Sequence, residues 1–273
     1  MKGIIVPVDF SEQSENALQV AASLAKEHKS ELYVLHMLEL SPSIMSESGY
    51  IAQEQVVHLI KVGEQRFNKF LDKPYLKGIQ VIPIIKHYKV FQEIDEIAKK
   101  HDIDLIVMGS HGTDGLKEIF IGSNTERVVR TSEIPVLVVK GEVENFELKN
   151  FVFACDYKEE NIPALKKAKQ MAELFGADLK LIYINTPGDE FLSTEDIYNR
   201  VSKFLNLAKE GLNVEIYNDY TVEKGILNYS ETVCADLIGI PTHGRKGLTH
   251  FFMGSIGEDV ANHSNIPVIT FKI

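Results

Sequence analysis

The chain has 273 residues, a formal net charge of −10 and 44% hydrophobic residues. That length admits one or two domains, and the acidic balance excludes a general nucleic-acid binder, which needs a basic face. The apolar run before Asp9 is too short for a secretory signal and no segment approaches the roughly 18 apolar residues of a membrane span, so a soluble, cytoplasmic protein without a nucleic-acid or membrane partner is expected.

Residues 3–8 are β-formers without polar alternation, as in a strand buried on both faces. Ala17, Leu18, Ala21, Ala22, Leu24 and Ala25 fall at helical spacing and predict a helix over 11–29, with Ser11 as N-cap and Glu12 favourable in the first turn. A strand at 31–39, a long helix from about 46 to 71, a strand at 79–86, a helix over 91–101, a strand at 104–109, a helix from Ser123 and a strand at 135–140 follow. The series then restarts: strand 151–155, helix 163–175, strand 178–185, helix 194–209, strand 213–218. Strands separated by helices specify a parallel sheet built from right-handed crossovers. Cys155 and Cys234 are the chain's two cysteines, and both read as buried thiols.

The restart is a true repeat. Gly109-Ser-His-Gly112, nine residues and Gly122-Ser123 are matched by Pro241-Thr-His-Gly244, nine residues and Gly254-Ser255. Gly112 and Gly244, Gly122 and Gly254, and Pro135 and Pro267 are each 132 positions apart, whereas Asp9 and Asp156 are 147 apart. About 15 residues are therefore missing from the second copy, between its second and third strands. A unit of this size is a copied domain rather than a solenoid turn.

Each glycine loop lies beyond a strand's C-terminal end, where open parallel sheets bind ligands. Glycines there let backbone amides approach an anion, and a helix N-terminus adds positive potential. Ser123 with Glu126, and Ser255 with Glu258, have capping-box spacing. A tight turn with a capped helix and no ligand is the alternative reading of such a loop. No Walker loop, Gly-x-Gly-x-x-Gly fingerprint or Gly-x-Ser-x-Gly elbow occurs. His243, His250 and His263 match no compact zinc spacing. Asp9, just past a strand end, suits ribose hydroxyls or a Mg²⁺ ion; capping the next helix is its structural alternative.

The full Gly-x2-Gly-x9-Gly-Ser motif at Gly109, Gly112, Gly122 and Ser123 resembles that of a tandem universal stress protein. Val6-Pro7-Val8-Asp9-Phe10-Ser11, Leu35-His36-Met37 and Ile134-Pro135-Val136 support the resemblance, which covers nearly the whole chain. It implies domains over 1–141 and 150–273, each a flavodoxin-like or Rossmann-like α/β domain with a five-stranded parallel sheet ordered 3-2-1-4-5. It further implies a pseudo-two-fold through the terminal strands, a homodimer and an unidentified protein partner. Its cofactor would be ATP with Mg²⁺, the metal held through Asp9. Pro7 and Asp9 would lie beside the nucleotide, Met37 near the adenine and Gly109 near the ribose, with Gly112, Gly122, Ser123 and the Asn124 amide on the phosphates. His111 lies within the same loop.

The second copy departs from the motif. Pro241 replaces the first glycine, removing an N–H and fixing φ; Ala154 replaces Pro7, and Asp259 replaces Arg127. Asp156, Gly244, Gly254 and Ser255 persist as a weak second site. The expectation is an ATP-binding stress-response protein whose nucleotide sits mainly in the first domain, with at most slow hydrolysis and no assigned catalytic residue. A nucleotide-free interaction protein, and a nucleotide-dependent hydrolase or transferase on the same fold, stay open at this level.

Overall fold

The computed structural model describes residues 1–38, 50–86, 90–110, 122–141, 146–242 and 255–273. His111, Gly112, Gly244 and Gly254, named above, lie outside them, and so do the side chains of Ser123 and Ser255. The chain forms two compact units, Met1–Gly109 and Ser110–Ile273.

In the first unit, β1 (Gly3–Val8), α1 (Glu12–His28), β2 (Glu31–Met37), α2 (Tyr50–Leu71), β3 (Val81–Lys86), α3 (Val90–Lys100) and β4 (Ile103–Gly109) alternate along the chain. Its strands are parallel and ordered β3-β2-β1-β4. Ile4, Ile5 and Val6 on β1, and Leu105, Ile106 and Val107 on β4, are inaccessible to solvent, which is why both read as unbroken apolar runs. Ser11 caps α1 as expected, its hydroxyl accepting the Ser14 amide at 3.2 Å.

The second unit opens with α4 (Ser123–Thr131) and β5 (Val136–Val139). β6 (Asn150–Ala154), α5 (Ile162–Phe175), β7 (Asp178–Asn185), α6 (Thr194–Ala208) and β8 (Val214–Asn218) follow, then α7 (Val222–Thr232), β9 (Leu237–Thr242), α8 (Ser255–His263) and β10 (Val268–Lys272). Here a complete parallel sheet runs β8-β7-β6-β9-β10, the expected 3-2-1-4-5 order. The fold class is therefore the expected one: two tandem flavodoxin-like repeats of five strands each, flanked by helices. The second-to-third-strand connection spans 38–80 in the first repeat and 186–213 in the second, which places the 15-residue difference there.

β5, the last strand of the first repeat, lies in the second unit and pairs antiparallel with β10, joining Val136 to Thr270, Leu137 to Ile269 and Val138 to Val268. Two hooks recur at the repeat offset. Ser132 Oγ accepts the Ile134 amide at 3.1 Å and Ser264 Oγ the Ile266 amide at 2.9 Å, each hydroxyl also donating to the same isoleucine's carbonyl. Asp104 accepts the Lys2 amide, and Asp236 accepts the Lys149 amide at 2.8 Å.

Two expectations are corrected. The N-cap of α4 is Gly122, with extended backbone, and not Ser123, which is already the first helical residue. Glu126 binds Arg130 one turn on, at 2.7 Å. Cys155 is buried but Cys234 is exposed, because its apolar run ends in a turn where Cys234 takes φ +50°.

Candidate functional site

The turn after each first strand is built the same way. Asp9 Oδ1 accepts the Ser11 amide at 3.0 Å and the Ser11 hydroxyl, and Asp156 Oδ1 accepts the Lys158 amide at 3.1 Å. The residue between, Phe10 or Tyr157, is forced to positive φ, +67° and +54°. Bulky side chains rarely hold that conformation, at a cost on the order of 1–3 kcal/mol. Packing offsets it. The Phe10 ring lies 4.1 Å from His36 and 5.2 Å from Phe70, with the Arg66 guanidinium 4.7 Å above it. His36 in turn sits 2.9 Å from the Val8 carbonyl through Nδ1. Tyr157 is buried against Tyr183 and Phe204.

In the first unit the turn leaves Asp9 exposed, with Pro7 and Met37 partly exposed at the C-terminal ends of β1 and β2. Gly109 ends β4, and a Cβ there would lie 2.3 Å from the Gln13 carbonyl oxygen of α1. The first motif glycine is thus required by a backbone-to-backbone approach, a packing reason that sequence reasoning missed because Gln13 is remote in the chain. In the second unit, Gly122 and Asn124 lie at the start of α4, and Asn124 is exposed. The N-cap, Gly122, has no side chain to offer, and the first-turn amides, which have no intrahelical acceptors, are oriented out of the helix end.

The second repeat closes what the first leaves open. Asp156 is 3% exposed. Its Oδ1 also accepts the Asn161 amide nitrogen at 2.6 Å, and its Oδ2 pairs with the Lys158 ammonium at 2.9 Å. Lysine at the position of Ser11 thus supplies an internal cation, and asparagine at the position of Ser14 supplies a second donor. A 3-10 turn over Glu159–Asn161 replaces the first turn of α1, and α5 starts only at Ile162. Pro241 is buried in β9, opposite Phe271 of β10. Asp156 and Pro241, by the motif one spared and one disabled position, are both built into the interior of the folded repeat.

Burial pushes the Cys155 thiol well above its usual range, so it is an inert packing group. Among the described residues no group of three or more His, Cys, Asp or Glu side chains is placed to hold a metal ion. His263 instead lies 2.6 Å from Glu223 on α7. No described helix is long and apolar enough to cross a membrane.

Two repeats of a doubly wound parallel sheet, each with a glycine motif beyond its fourth strand, define a tandem α/β protein of the flavodoxin-like type. The sequence matches the Universal stress protein family over residues 1–140 and again over 147–272, and the chain belongs to that family. It is 34% identical over 142 residues to Universal stress protein MJ0531 of Methanocaldococcus jannaschii, covering 51% of this chain and 82% of that protein. With Universal stress protein Slr1230 of Synechocystis it shares 25% identity over 294 residues, covering 100% of both chains. The crystal structure of a universal stress protein from Archaeoglobus fulgidus has the same fold, with a TM-score of 0.70 at 21% identity, covering 99% of this chain and 98% of that one.

Proposed function

We propose that this protein is an ATP-binding stress-response regulator whose nucleotide is held mainly by the first repeat. The observation that carries this reading is the contrast between equivalent carboxylates, Asp9 exposed at its strand end and Asp156 buried and paired with Lys158. Only the first repeat also has an intact Gly-x2-Gly-x9-Gly-Ser motif.

The described residues of the first repeat fit a nucleotide. Asp9 offers an exposed carboxylate to ribose hydroxyls or to a nucleotide-bound Mg²⁺ ion, Pro7 and Met37 offer partly exposed apolar surface to a base, and Gly109 adds no side chain at the end of β4. By the motif, Gly112, Gly122, Ser123 and the Asn124 amide hold phosphate, with His111 in the same loop. The bound cofactor would supply the triphosphate and its metal. The chain's own part is to bind and orient it, and no side chain is assigned as a base for fast hydrolysis. The functional domains in this reading are 1–141 and 150–273, and Asp156, Gly244, Gly254 and Ser255 form at most a weak second site. The bound state would act on a protein partner, in the cytoplasm and within a homodimer.

The test is the amount of nucleotide released from the purified chain, identified by mass spectrometry. About one ATP or ADP per chain is expected. Two per chain would overturn the asymmetry, and none, with no ATP-dependent rise in melting temperature, would overturn nucleotide binding itself.

A further inference from the structure

Exposed aromatic side chains are concentrated in one place. Among the described residues, the large hydrophobic side chains left exposed include three aromatics, Phe191 (59%), Tyr198 (56%) and Tyr220 (83%). Phe191 lies in the loop after β7, Tyr198 in the second turn of α6 that this loop leads into, and Tyr220 in the turn after β8. Exposed apolar side chains grouped in one part of a fold mark interaction sites, and Tyr and Phe are the residue types that anchor protein interfaces.

Asn185, buried at the end of β7, ties the loop and the turn together. Its side chain accepts the Leu192 amide at 3.2 Å and donates to the Leu192 carbonyl at 3.3 Å and to Asn218 Oδ1 at 3.1 Å, while its backbone carbonyl accepts the Asp219 amide at 3.2 Å. Phe191 and Tyr220 are therefore each one residue from a group bonded to the same asparagine. Asp219 fixes the second turn further, accepting the Tyr220 amide at 2.6 Å through Oδ1 and Asn228 Nδ2 at 2.8 Å through Oδ2. Ser193 caps α6 by accepting the Asp196 amide at 3.1 Å, which sets Tyr198 one turn into that helix. The aromatics are presented on an ordered frame, so little conformational entropy is lost when they are covered.

The charge around them is predominantly negative. Residues 186–200 and 218–224 contain Asp189, Glu190, Glu195, Asp196, Asp219 and Glu223 against the two cations Arg200 and Lys224. Asp196 and Asp219 serve the frame and Glu223 binds His263. Asp189, Glu190 and Glu195 are exposed and form no salt bridge among the described residues. Aromatic faces beside unpaired carboxylates complement guanidinium and ammonium groups, through cation–π contact and charge-assisted hydrogen bonds together.

We infer that the rim formed by Phe191, Tyr198 and Tyr220 is a docking surface for an arginine- or lysine-rich segment of a partner protein. It is carried by the second repeat and is independent of the nucleotide reading. A fluorescein-labelled hexa-arginine peptide, titrated into the full-length protein at two salt concentrations, provides the test, with NMR shift mapping to locate it. Saturable binding with shifts confined to 186–198 and 218–224 is expected. Phe191→Ala with Tyr220→Ala, which keeps every charge, should weaken it about fivefold or more. Asp189→Asn with Glu190→Gln should weaken it and flatten its salt dependence. All four substitutions are at exposed positions, and unchanged circular dichroism would confirm folding. Shifts spread over the whole acidic surface, or binding indifferent to the aromatic pair, would overturn the inference. So would a change of oligomeric state in the aromatic variant with peptide binding intact, which would assign the rim to a second copy of the chain.

Discussion

Leu137 and Ile269 face one another across the antiparallel pair of β5 and β10, and they occupy the same position of the two repeats. The pairing is therefore its own image under exchange of the repeats, the form that an isologous contact takes between identical subunits. Both side chains are fully buried.

Truncating either one therefore opens a cavity at the centre of this self-symmetric contact. Leu137→Ala and Ile269→Ala should each cost about 2–4 kcal/mol in urea denaturation. The double variant should lose measurably less than the sum, because the two side chains share a site. Strict additivity, or losses below about 1 kcal/mol, would show that the contact does not organise the second unit.

Gly109→Ala should destabilise the chain by about 1–3 kcal/mol, since the added Cβ meets the Gln13 backbone carbonyl rather than a flexible side chain. The loss should appear in thermal melts both with and without ATP. A melting temperature equal to that of the unchanged protein in nucleotide-free buffer would assign the glycine to the ligand alone.

The equivalent carboxylates should respond in opposite ways. Asp9→Ala should cost stability by no more than about 1 kcal/mol, the worth of a helix-start contact, while cutting retained nucleotide about tenfold. Asn161→Ala, which removes a buried donor from Asp156, should cost about 1–3 kcal/mol and leave the nucleotide content unchanged. The converse pattern in the two variants would place the working site in the second repeat.

Lys140 and Lys272 are also equivalent, 132 positions apart, yet among the described residues only Lys272 has a carboxylate partner. Lys272 Nζ lies 2.6 Å from Glu133, whereas Lys140, 8% exposed, reaches only the Asn262 carbonyl at 3.4 Å, and the residue equivalent to Glu133 is Asn265. Burial lowers the Lys140 pKa from 10.5 to about 8. The folded state thus holds this proton less tightly than the unfolded chain, so stability rises as pH climbs from about 8 towards 10.5 and the full penalty applies below 8. Lys140→Met should stabilise the protein at pH 7 by about 1–3 kcal/mol, with a gain that shrinks at high pH. A gain that does not vary between pH 7 and pH 10 would refute a titrating, buried ammonium.

Much of this was decided locally. Apolar runs of four to eight residues alternating with helical spacing required a parallel α/β sheet, and the offsets of 132 and 147 located both the repeat and its shortened connection. Ser11 was legible as an N-cap because capping is a contact between near neighbours in sequence. The N-cap of α4 was not, since spacing cannot tell whether Ser123 or the extended Gly122 ends the turn. Only the folded chain decided the rest, because those contacts join residues far apart. Gly109 is compelled by the Gln13 carbonyl, Asn185 gathers Leu192 and Asp219, and Lys140 lacks the partner that Lys272 finds in Glu133. Asp9 and Asp156 show the boundary most simply: the same residue after the same strand stays exposed in one repeat and is sealed in the other. Sequence fixes the identity of a side chain, but burial and pairing belong to whatever the rest of the chain packs against it.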